Sequence, residues 1–307
     1  MQQVWTIAAK EFRTAFRDRI FLLITLLFVL LSIVSVYIGS STKHAELQAY
    51  ADIVALLKSQ GSTAFPPAPQ FYPLAILHNM ITYVGTVGAV LAIFLGFDTF
   101  SGERENGTLR LLLSRPLYRD QLVSGKLLGG GLVLGLLLLL TLAFNMVLFS
   151  VVSGLAPSIA EQSRLLVFII LAFAYMLSFY IATVFVSIKT QDRSFGFLIM
   201  LLLWLSVTFV IPQLAESQRS MAYALNATAQ TVTQLPADTS ISKTIEIFSP
   251  LVQFQTLGRD LLQVNANTAN TGIVAIFLKQ ILALVYMLVP GFILLFAAYK
   301  SFLREEV

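Results

Sequence analysis

Apolar residues in this chain come in long unbroken runs, and polar residues gather in the intervals between them. Six runs are predicted to be membrane spans, over residues 20–38, 74–97, 127–152, 165–188, 195–211 and 273–299. Each is at least as long as the roughly 17 residues that a helix needs to cross a bilayer. The opening stretch, 1–19, has a different pattern. Trp5, Ala8, Phe12 and Ala15/Phe16 share one helical face while Lys10, Arg13 and Arg17 share another, which predicts a helix lying in the membrane interface. Between the first two runs, Leu47, Tyr50/Ala51, Val54 and Leu57 recur at helical spacing, so a short surface helix is expected before the cluster of Pro66, Pro67 and Pro69. Residues 213–272 form a long polar segment rich in Gln, Thr, Ala and Asn. Pro212 is expected to end the fifth span, and Pro290-Gly291 to kink the sixth. Three sets of small residues lie four apart, Gly88/Ala92/Gly96, Gly125/Gly129 and Gly131/Gly135, a spacing that lets helices approach closely. Asn145 reads as an interhelical hydrogen-bonding amide.

Composition turns this pattern into a class. The chain is 57% hydrophobic and 12% charged, with mean hydropathy +0.81, against about 25% charged residues in soluble domains. An all-α polytopic membrane protein follows. Cysteine is absent, which excludes disulfides, thiol nucleophiles and cysteine metal sites. The only histidines, His44 and His78, are far apart. The net charge of +4 comes from basic residues at helix ends and not from a stripe with interleaved aromatics, so nucleic acid is not an expected partner. Placing the N-terminus inside puts most of the 20 Lys and Arg residues in the cytoplasm, and with six spans both termini and residues 98–126 lie there too. Apart from Asp98 and Lys279 near span ends, the predicted spans hold no Asp, Glu, Lys or Arg. Ion-coupled carriers usually need such residues within the membrane, so an energy source outside the bilayer is favoured. No G-x-x-x-x-G-K-[ST] loop exists, and Gly125-Lys126 lacks the upstream glycine, so the chain carries no nucleotide-binding device of that type.

The longest charged interruption in the first half is Asp98 to Lys126, DTFSGERENGTLRLLLSRPLYRDQLVSGK. Gly102 and Gly107 loosen the backbone, Thr108 is a candidate N-cap, Leu109–Ser114 forms one or two helical turns, and Pro116 stops the helix at Arg115. A short helix between two flexible corners at a membrane surface suits a lever pushed by a partner. Ser101, Gly102, Glu103, Gly107, Thr108, Leu109, Pro116, Arg119, Gly125 and Lys126 resemble the inner-loop pattern of ABC-2-type transporter permeases. That resemblance implies an exporter-like fold of six transmembrane helices, with an N-terminal elbow helix (1–19) and a coupling helix within 98–126. It further implies a bacterial inner-membrane location, a homodimer, and two copies of an ATPase subunit that bind the ATP and magnesium. No catalytic site, metal or cofactor is expected in this chain itself.

The coupling residues implied are Glu103, Arg104, Glu105, Gly107, Thr108, Leu109 and Arg110, with Lys189 and Arg193 as a secondary contact. Phe248-Ser249-Pro250 is similar to an outer-side element of the same family. The opening MQQVWTIAAKEFRTAFRDR is most similar to permeases of copper-enzyme maturation, the kind that serves nitrous oxide reductase. The role so implied is passing ATP-driven motion to a periplasmic protein. Export of a lipid, drug or peptide remains an alternative, as does a structural membrane protein without an ATPase. The cargo is not legible.

Overall fold

The computed structural model describes residues 2–61, 65–66, 72–105, 107, 118–153, 158–190, 192–226, 231–264, 268 and 270–304. Helix α1 (Gln2–Ala15) is the expected amphipathic opening. Asp18 then caps the next helix, its carboxylate accepting from the Ile20 and Phe21 amides at 2.7 and 3.0 Å. This is the side-chain rescue that an orphaned first-turn N–H requires. That helix, α2 (Arg19–Ser59), is 41 residues long. The first span and the expected surface helix are therefore one element. Gly39-Ser-Ser-Thr reads as a helix end, but nothing there removes a backbone donor. Ser40 is buried and the Thr42 hydroxyl bonds back to the Ile38 carbonyl at 2.9 Å.

Helix α3 (Leu74–Glu105) enters through a 3₁₀ turn, Pro73–Leu77, and widens into a π turn at Val84–Gly88. Helix α4 (Arg119–Ser153) begins well before the expected 127, so Lys126 lies inside it. Helix α5 (Ile159–Lys189) starts at a capping box between Ser158 and Glu161. Helix α6 comprises Arg193–Leu205, a π turn at Ser206–Val210, and Ile211–Ser217. Pro212 does not end it. The proline falls where the π turn has already interrupted the regular ladder, so its missing N–H costs little there.

The segment after α6 holds an antiparallel hairpin of β1 (Ser220–Asn226) and β2 (Thr231–Ala237), with Tyr223 opposite Gln234. The expectation of an all-helical chain omitted it. Arg219 fastens its base through Glu216, Asp238 and Glu246 at 2.5–3.1 Å. Two short helices follow, α7 (Ser240–Glu246) and α8 (Pro250–Leu261), the latter capped by Ser249 with Pro250 in its first turn. The expected sixth span is broken. Helix α9 (Ile273–Lys279) stops at Gln280 and α10 (Ile281–Arg304) makes the crossing, with Pro290 inside it. Among the described residues, six helices are thus long and apolar enough to cross a membrane.

α3 and α5 pack on one another along most of their lengths and form the core. Gly96 rests on the Tyr180 carbonyl, where an added Cβ would lie 2.7 Å away. Gly88 meets Met176, so the small-residue stripe faces α5 within the chain. Asn145 acts as expected, bonding Ser32 of α2 at 2.9 Å. Helix α8 is sunk among α3, α5 and α10. Phe254 stacks on Tyr175 with ring centroids 4.7 Å apart and lies beside Phe168. A polar knot holds the far end of this helix. Buried Asp260 accepts from Thr268 at 2.7 Å and from Gln280, and Arg164 donates to the carbonyls of Asp260 and Thr271.

Candidate functional site

The inner loop leaves α3 at Glu105 and rejoins α4 at Arg119. Gly107 has φ +68°, and its amide bonds the Arg104 carbonyl at 3.1 Å, so it closes the helix in the left-handed conformation that glycine adopts without strain. Thr108, Leu109 and Arg110, with the short helix expected over 109–114, lie outside the described residues.

The stem of this loop is built around Lys126. Its side chain is 1% exposed, and a buried ammonium is tolerable only with counter-charges and hydrogen-bond acceptors close by. Glu103 of α3 stands 2.9 Å away and Glu11 of α1 stands 3.0 Å away. The Thr99 carbonyl accepts a further bond, and the Phe100 ring lies 5.0 Å below. Glu103 also holds Lys10 of α1 at 2.6 Å. Burial works against the Lys10 charge, but the hydrogen bond and field of Glu103 outweigh it and keep Lys10 above the ordinary ammonium value. Two cations and two carboxylates therefore join α1, α3 and α4 in one neutral cluster. Close backbone approach makes this feasible: at Gly125 and Gly129 an added Cβ would lie 2.7 and 2.6 Å from the Cβ atoms of Ile7 and Glu11.

A second tie runs to α5. Arg104 donates to the Ile188 carbonyl at 3.2 Å and to that of Thr190, a cation on the negative end of a helix. Ser101 and Ser187 bond hydroxyl to hydroxyl at 2.9 Å. Tyr180 donates to the Lys126 carbonyl at 3.0 Å.

Of the sequence-derived coupling residues, then, Glu103 and Arg104 face the protein's own helices. Glu105 is exposed, as is Lys189 at the end of α5. Arg193 opens α6, and its side chain lies outside the described residues. Sequence reasoning missed Lys10 and Glu11 as members of the site and placed Lys126 only as a loop charge that matches the family pattern. The signal available was the helical register of α1, which sets Glu11 beside the buried Ala8 and Ala15 and away from Arg13 and Arg17.

A chain-long comparison decides the family: the profile of the ABC-2 family transporter proteins matches residues 5–307. The chain belongs to the ABC-2 family. Two curated relatives share parts of it. The probable ABC transporter permease protein NosY of Pseudomonas aeruginosa is 37% identical over 136 residues, which cover 44% of this chain and 42% of that protein. The protein of the same name from Stutzerimonas stutzeri is 34% identical over 140 residues, covering 46% and 43%. Less than half the length of either relative is matched. The charged stem lies where the loop joins the membrane helices, and from α3 it engages α4, α5 and the amphipathic α1.

Proposed function

We propose that this chain is the permease subunit of an ABC transporter in a bacterial inner membrane. It works as a homodimer with two ATPase subunits, which bind the ATP and magnesium, and its inner loop is the site through which hydrolysis moves the membrane helices. Both termini and the loop lie in the cytoplasm in this reading. Glu105, Gly107, Thr108, Leu109 and Arg110 meet the ATPase, with Lys189 and Arg193 as a secondary contact. Glu103 and Arg104 seat the loop on its own helices. The observation that carries the proposal is the stem. Glu103 and Lys126 clamp the two sides of the loop 2.9 Å apart, and the same groups reach α1, while Arg104 reaches α5. A push on the loop therefore reaches several helices as one displacement. The cellular role that fits the NosY-named relatives and the opening sequence is maturation of a periplasmic copper enzyme, with motion passed to a periplasmic partner.

Charge reversal at the exposed side of the loop tests this. Exposed ion pairs are worth about 0–1 kcal/mol each, so Glu105→Lys is combined with Arg110→Glu. ATP hydrolysis should persist in the double variant while enzyme maturation fails. Normal maturation and normal ATPase association at normal expression would move the coupling site elsewhere.

A further inference from the structure

Beneath α1 the surface opens into an apolar groove of 760 Å³, within the roughly 300–1,000 Å³ range of small-molecule sites. Trp5 and Phe12 of α1 form its roof, Gly131 and Gly135 of α4 its floor, and Phe173 and Leu177 of α5 its back wall. The two glycines are not spent on packing inside the chain. A Cβ added at Gly131 would have its nearest neighbour 3.9 Å away, and at Gly135 3.6 Å away, ordinary contact distances. Gly125 and Gly129, one turn earlier on α4, are by contrast pressed against α1. The second small-residue pair therefore keeps a channel open where the first pair closes one.

Basic residues follow the groove-lining part of α1 in the chain. Lys10 is committed to Glu103, Glu11 to Lys126, and Asp18 to the α2 amides. That leaves Arg13, Arg17 and Arg19 exposed, with no acidic partner among the described residues. Arg13 follows Phe12 directly and stands one turn from Ala9, so it borders the groove. Trp5, 65% exposed, is the amphipathic ring type that favours the headgroup level. An apolar slot for a chain, with Arg13 beside its lining residues Ala9 and Phe12 and Arg17 four residues further on, matches one occupant by shape and by charge. We propose that this groove is a binding site for an anionic phospholipid of the surrounding bilayer, with an acyl chain between α1 and α4 and its phosphate at Arg13 and Arg17.

The chain has two tryptophans, and Trp204 is 9% exposed, so Trp204→Phe leaves Trp5 as a single reporter inside the site. The full-length protein carrying that change is reconstituted with phospholipids brominated along the acyl chain, which quench indole fluorescence on contact. Brominated phosphatidylglycerol should quench Trp5 at a several-fold lower mole fraction than brominated phosphatidylcholine. Arg13→Gln with Arg17→Gln, both on exposed positions, should abolish that preference and leave quenching by the two lipids equal. Gly131→Leu with Gly135→Leu should remove the high-affinity phase for both. Equal quenching by the two lipids in the arginine-intact protein would overturn the site. So would an unchanged preference in the arginine variant, whose two changes lie at exposed positions. Failure of either lipid to quench, with efficient self-crosslinking of Gly135→Cys between copies, would assign the groove to a second copy of the chain instead.

Discussion

Replacing Lys126 by methionine keeps the length of the side chain and removes its charge. Three attractive contacts vanish, those to Glu11, Glu103 and the Thr99 carbonyl. Two carboxylates at 17% and 13% side-chain exposure are left facing each other, beside the half-exposed Lys10. Breaking a buried ion pair by deleting one partner costs about 3–5 kcal/mol, because the surviving charge stays buried. At roughly 2–4 °C per kcal/mol for a large domain, the melting temperature of the purified protein should fall by about 10 °C. Hydrogen exchange should quicken along α1, which this cluster fastens to α3 and α4. Removing the whole network is expected to be milder, since neutral groups of similar shape carry no desolvation debt. Glu11→Gln, Glu103→Gln and Lys126→Met together should recover most of the lost stability, whereas Lys10→Ala alone, at a 55% exposed position, should cost at most about 1 kcal/mol. A single Lys126→Met variant within about 1 kcal/mol of the parent, or a triple variant as unstable as the single one, would refute the reasoning.

Three further outcomes are expected. Gly130→Ala should destabilise by about 1–3 kcal/mol through overpacking, because the new methyl runs into the Tyr180 ring and hydroxyl; Gly131→Ala next to it should be neutral or stabilising by up to about 1 kcal/mol, and paired thermal melts read the contrast. Asp260→Ala should cost about 1–3 kcal/mol for each polar group it orphans at Thr268 and Gln280, and limited proteolysis should then cut near 262–272 sooner than in Asp260→Asn, which keeps one acceptor oxygen. Single cysteines at Ser114 and Thr233, clean reporters because the chain has none of its own, should be respectively protected from and labelled by an impermeant thiol reagent applied to intact cells; the reverse pattern would invert the topology.

The spans were legible because a bilayer demands apolar length, and length is visible without any tertiary information. The inner loop was legible because its charges and glycines interrupt that pattern. What the chain hides is pairing at a distance. Lys126 sits at the edge of a polar stretch and looks solvated, and only the fold brings Glu11, 115 residues away in sequence, to its ammonium. The hairpin was hidden for another reason: Met221, Tyr223 and Leu225 alternate with small residues too weakly to stand out from a Gln- and Thr-rich segment. Pro212 misled because a proline breaks a regular α-helix and the π turn before it cannot be read from Ser206–Val210. The candidate coupling residues come from family resemblance, but which of them face outward depends on side-chain direction, and the sequence does not record that.

The uninterrupted α2 changes how small motions at the membrane are felt far from it. At 1.5 Å per residue its 41 residues make a rod of roughly 60 Å, about twice the thickness of the hydrocarbon core. Half of it therefore stands clear of the lipid as a mast. A tilt of about 10° at the membrane, easily accommodated by a single span, swings the free end through roughly 5 Å over that 30 Å arm. Residues around Ile53 and Leu56 would sweep a distance that no loop of equal length could transmit, since a loop bends where a helix turns as one piece. Amplification of this kind needs only an unbroken helix, and a helix-breaking Ser41→Pro would abolish it while leaving the span in the bilayer intact.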